Sequence, residues 1–140
     1  MDERARAAAA AFSCLMLVAG CGSTGSDSVR ADVLRGIAQI RGSHDAKKLR
    51  DQLIHTLANL RRDHASMAAD RKGKRLALQG FAWTRRGVEA QIAFYANDSG
   101  NIEAATRDAK KADRSRKRGA NLLRAAGRAL GVTVGRLKDY

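Results

Sequence analysis

The chain has no proline, only two cysteines in 140 residues, and an aromatic complement of one tryptophan, two tyrosines and three phenylalanines. Without proline, no helix interior loses an amide donor to a pyrrolidine ring. The shortage of aromatics removes much of what favours strands, while the abundant alanine and arginine favour helices. Cys14 and Cys21 both lie near the N-terminus, so the body has neither thiol nor disulfide. Thiol catalysis and zinc-thiolate sites are thereby excluded, and packing alone must hold the fold. Glutamate is scarce, three in all, and no Glu-x-x-His pair of the kind used by metal sites in helical bundles occurs. His44, Asp51 and His55 share one helical face, yet they lack the carboxylates such a site draws from other helices. There is no Walker loop, no G-x-S-x-G elbow and no H-E-x-x-H helix. No cofactor is implied and the expected role is non-enzymatic.

The longest apolar run, from about Ala7 to Val18, is too short to span a bilayer comfortably, which takes about 20 residues. It follows a charged start (Asp2, Glu3, Arg4, Arg6) and ends in small residues before Cys21, the three parts of a secretory signal. Val18-Ala19-Gly20-Cys21 resembles the lipobox of bacterial lipoproteins. That resemblance implies cleavage before Cys21, a diacylglyceryl thioether on its sulfur, and a mature protein anchored on the outer side of a cytoplasmic membrane. It covers only this N-terminal part of the chain. The same stretch, Gly20-Cys21-Gly22-Ser23-Thr24-Gly25, also reads as G-x-G-x-x-G, but a dinucleotide fold needs alternating strands and helices that are absent here. The expected organisation is a signal over 1–20, a Gly/Ser tether over 21–28 and one helical domain over 29–140.

Within that domain the spacing of apolar residues predicts an all-α bundle of three to four helices. The first, about Ser28 to Arg41, carries Val33, Leu34, Ile37 and Ile40 and stops at Gly42-Ser43. The second is expected to be capped by Ser43 and to bury Ala46, Leu49, Leu53, Leu57, Leu60, His64 and Met67, ending near Gly73. The third, about Lys74 to Ala96, is apolar on two sides. Leu78, Phe81, Val88, Ile92 and Tyr95 lie on one, and Leu76, Gly80, Trp83, Gly87, Ala90 and Phe94 on the other. It reads as the central helix, with Gly80 and Gly87 admitting a close neighbour. The turn-forming run Asn97 to Asn101 ends it. The fourth, about Asn101 to Leu130, has a seam of Ile102, Ala105, Ala109, Ala112, Arg116, Gly119, Leu123, Ala126 and Leu130, with Gly131 as its cap.

Acidic charge is the minority: the net charge of +13 points to anionic partners, and removing the expected signal leaves it unchanged. Arg107, Lys111, Arg114 and Arg118 recur along the fourth helix opposite its alanine seam, with Lys110 and Lys117 flanking them. A second cluster, Arg71, Lys72, Lys74 and Arg75, surrounds the turn before the third helix. Such stripes are either solvated faces or surfaces for lipid headgroups or an anionic envelope polymer; a protein partner is also compatible. The alternative is a cytosolic nucleic-acid-binding helical protein whose N-terminus imitates a signal. The absence of aromatics on the fourth helix speaks against stacking on single strands, and an exported protein rarely meets nucleic acid.

Overall fold

A computed structural model describes residues 25–97 and 100–137 of the chain. The expected signal and Cys21 lie outside the described residues. Four α-helices follow in order, α1 (Gly25–Gly42), α2 (Ala46–Arg62), α3 (Ala68–Tyr95) and α4 (Ile102–Leu130), and among the described residues there is no strand. The chain is a small all-α bundle. Each helix packs on the next, and α1 also touches α3.

The helix α1 buries Val29, Val33, Ile37 and Ile40 at spacings of four, four and three, which is one helical face. Leu34, expected beside them, is exposed. The helix begins at Gly25, so the end of the expected tether is helical. The cap of α2 is Asp45 and not Ser43: its Oδ1 accepts from the amides of Lys47 and Lys48 at 2.8 and 3.1 Å. A carboxylate at the positive end of a helix is favoured by both charge and geometry. Ser43 instead donates its hydroxyl to the Asp45 carbonyl at 3.0 Å.

The expected second helix is corrected in its last third. It stops at Arg62, a loop follows, and α3 starts at Ala68 and runs through Gly73 without a break. His64 and Met67, expected on the buried stripe, are exposed. The carbonyls at the end of α2 are satisfied from a distance, because Lys74 donates its ammonium to those of Arg61 and Asp63. A cation there also complements the negative end of the helix.

The core joins the apolar stripe of α1 to Leu49, Leu53, Leu57 and Leu60 of α2, Ala77, Phe81 and Val88 of α3, and Leu123, Ala126 and Leu130 of α4. Phe81 is wholly buried and lies where Gly36 leaves room for it. A Cβ on Gly36 would come within 2.5 Å of its ring. Truncating such a side chain to alanine costs about 3 to 5 kcal/mol.

The α3–α4 contact has a regular register. Gly73, Gly80 and Gly87 lie seven residues apart on α3, and a Cβ on each would collide with Leu130, Leu123 and Arg116 respectively, themselves seven apart on α4. Equal steps in opposite directions define an antiparallel pair, each glycine forming a notch for one side chain of α4. Gly119 answers from the other side, where a Cβ would meet Thr84 Oγ1 at 2.4 Å. Gly80 and Gly87 thus admit the close neighbour expected of them, whereas Gly73 is a packing notch and not a helix end.

One charged residue ties the ends of three helices together. Arg30 on α1 donates its Nε to the Leu130 carbonyl at 3.0 Å, and its Nη2 lies 3.5 Å from the fully buried carboxylate of Asp70 in the first turn of α3. Beyond the left-handed cap at Gly131 (φ 67°), residues 132–137 have no regular structure, but Val132, Val134 and Leu137 pack back on the core.

Candidate functional site

Asn101 starts α4 by accepting the Ala104 amide on its Oδ1 at 3.0 Å. From Ala112 onward one side of the helix is buried through Ser115, Gly119, Leu123, Ala126 and Leu130. At 3.6 residues per turn, Arg107, Lys110, Lys111, Arg114, Lys117 and Arg118 fall within an arc of about 120° on the other side. All six are exposed. Lys117 is partly neutralised by Asp113 at 3.0 Å, and Arg114 turns its Nε to the Lys110 carbonyl one turn back. Two members of the second cluster have a different use: from the start of α3, Lys74 closes the end of α2 and Arg71 donates to the Ser66 carbonyl in the preceding loop, while Lys72 and Arg75 are exposed.

The structure brings an aromatic ring to the basic face from the neighbouring helix. The Trp83 ring on α3 is half-buried, with Arg118 4.3 Å and Arg86 4.8 Å from its centroid. A groove of about 480 Å³ beside it is lined by Trp83, Arg86, Glu89, Asp108 and Lys111, so acidic groups are interspersed there. The spacing within α4 alone carries no sign of this contact, because it depends on the register between helices.

Phe94 and Tyr95, expected in the core, are exposed at the end of α3, and so is Ile102 at the start of α4, where the seam was expected to begin. Ile102 is 80% and Tyr95 72% accessible. The rings of Phe94 and Tyr95 meet edge to face, with centroids 5.2 Å apart. The reason is helix length. At 1.5 Å per residue α3 and α4 each run for about 43 Å and α1 and α2 for only about 26 Å. Ile40 and Leu49, at the near ends of α1 and α2, face the level of Val88 and Gln91 on α3. Beyond that level no further helix among the described residues covers the hairpin. Ala109, also expected in the seam, is exposed for the same reason.

His44, Asp51, His55 and His64 are all exposed, and among the described residues no group of three or more potential ligands is placed to hold a metal ion. No helix among the described residues is long and apolar enough to cross a membrane. No protein-family model, curated protein or solved structure matches the chain.

Proposed function

We propose that the chain is a lipid-anchored envelope protein, tethered through Cys21, that lays the basic face of its α3–α4 hairpin on an anionic membrane surface. The observation that carries this reading is a juxtaposition. Six exposed cations lie along α4, and the same hairpin ends in exposed Phe94, Tyr95 and Ile102. Each basic residue near an anionic bilayer contributes on the order of 1 kcal/mol before screening. Apolar side chains with basic neighbours suit the boundary between headgroups and acyl chains. The role needs no catalysis.

The test replaces Arg107, Lys111, Arg114 and Arg118 by Gln and measures sedimentation with phosphatidylglycerol vesicles over a salt series. Binding should fall by at least about tenfold and lose most of its salt dependence. Unchanged affinity and slope would leave the stripe as a solvated face. Fractionating cells that express the Cys21→Ser variant tests the anchor, and unchanged membrane attachment counts against lipidation at that residue.

Binding of single-stranded nucleic acid is the second reading, favoured by the Trp83 ring beside Arg86 and Arg118. Tighter binding to an oligonucleotide than to the vesicles at physiological salt, with the full chain retained in the cytosol, would put it first.

A further inference from the structure

The three notches of α3 are not filled alike. Leu130 and Leu123 seat on Gly73 and Gly80, but the third position of the series holds Arg116, whose Cγ lies over Gly87. A leucine there would complete the apolar seam; an arginine carries a charge through it. The half-buried Arg116 donates its Nη1 to Gln91 Oε1 at 3.3 Å. Among the described residues it has no carboxylate partner. A guanidinium has five N–H donors in a fork that matches a carboxylate, so one long bond to a neutral amide leaves solvent-facing donors that a carboxylate can take from water.

Arg116 also lines a cavity of about 240 Å³ at the junction of all four helices. Ile40, Leu49 and Val88 give it an apolar wall, while Thr84 and Gln91 add polar atoms near the arginine. The remaining titratable groups that face it are His44 and Asp45. Asp45 caps α2 through Oδ1, which accepts from the amides of Lys47 and Lys48, and among the described residues it forms no ion pair with Arg116. Since one water accounts for about 30 Å³, the cavity has room for about eight water-sized groups. That is room for a short chain.

We infer that this cavity is a binding site for a small amphipathic monocarboxylate, whose carboxylate pairs with Arg116 and whose short hydrocarbon chain lies against Ile40, Leu49 and Val88. An apolar pocket with a few convergent polar groups is the usual form of a small-molecule site. The site lies on the buried side of α4 and does not depend on the membrane reading.

The test titrates the full chain with hexanoate, hexanol and acetate, following the methyl signals of Ile40, Leu49 and Val88 by NMR. Hexanoate should give saturable shifts at those methyls and bind at least about tenfold more tightly than hexanol, which lacks the charge, or acetate, which lacks the chain. The Arg116→Gln variant should reduce hexanoate affinity to that of hexanol and leave hexanol binding and vesicle binding unchanged. Absence of saturable shifts at millimolar hexanoate overturns the inference, as does equal binding of hexanol or shifts confined to the face of Arg107 and Arg114. The comparison of the three probes on the unaltered chain decides the matter even if the variant does not fold.

Discussion

Arg118 on α4 stands over the ring of Trp83 on α3 with 4.3 Å between guanidinium carbon and ring centroid. The contact joins the single tryptophan to the basic face. At an exposed site such a pair is worth about 0.5 to 1 kcal/mol. A double-mutant cycle of Arg118→Gln and Trp83→Leu, read by urea denaturation, should give a coupling energy of that size. Strictly additive effects would show that the ring and the cation are only neighbours.

The apolar tip and the basic stripe should separate by their response to salt. Replacing Phe94, Tyr95 and Ile102 together by Ser should lower vesicle affinity by about tenfold at every salt concentration, because hydrophobic transfer is not screened. Any loss of stability should come from Phe94, which is only 37% accessible, since the far more exposed Tyr95 and Ile102 carry little of it. A loss that disappears at high salt would contradict the assignment of these side chains to the lipid boundary.

Two glycine substitutions should act in opposite directions. A Cβ at Gly119 would stand 2.4 Å from Thr84 Oγ1 and 2.9 Å from both the Gly80 carbonyl oxygen and the Thr84 amide nitrogen. Thr84 is held by its own bond to the Gly80 carbonyl at 3.0 Å, so the helices must part. Gly119→Ala should cost about 1 to 3 kcal/mol. At Gly42, the last residue of α1, an added Cβ meets nothing within 4 Å. Gly42→Ala should therefore gain up to about 1 kcal/mol through the unfolded state. Thermal denaturation of the two variants checks the sign of each.

Asp63 is the C-cap of α2. Burial raises its pKa above the ordinary value and the nearby carboxylate of Asp32 adds to this; a Ser28 hydrogen bond and the charge of Lys74 act the other way. Its Oδ2 is buried with no hydrogen-bond partner among the described residues. The folded state therefore binds this proton more tightly than the unfolded state. The resulting stability is present below the unfolded pKa of about 4 and is lost as pH rises through the folded value. Asp63→Asn should be more stable than the parent at neutral pH, with the advantage shrinking on acidification. Urea midpoints at pH 7 and pH 3 measure it, and an equal difference at both would refute the assignment.

What the sequence revealed and what it hid divide along a physical line. Val33, Ile37 and Ile40 of the α1 stripe, the end of α3 just before Asn97, the extent of α4 and its Gly131 cap are local signals, and they were legible because spacing and turn chemistry act over a few residues. The break after Arg62 was not, because the side chain that closes α2 is Lys74, eleven residues past Asp63. Gly73 looked like a stop because a lone glycine near basic residues resembles a cap; its role as a notch depends on Leu130. Periodicity assigned Phe94 and Tyr95 to buried faces correctly in direction, but it says nothing about whether a neighbouring helix reaches that far. The six basic residues of α4 were legible as a face. The tryptophan beside them and the cavity behind Arg116 were not, since both are made by register between helices.

The unequal helix lengths also set an order of opening. Amides of α4 near Leu123 and Ala126 sit under side chains wholly removed from water, whereas those near Ile102 and Arg107 belong to a two-helix stem with little apolar cover. Hydrogen exchange should be slowest in the former and run down a gradient toward the stem's end, which separates in small fluctuations long before the body unfolds. The part of the molecule that reaches furthest from the core is thus the part that reshapes at least cost, and whatever surface it meets is met by a pliant end on a stiff base.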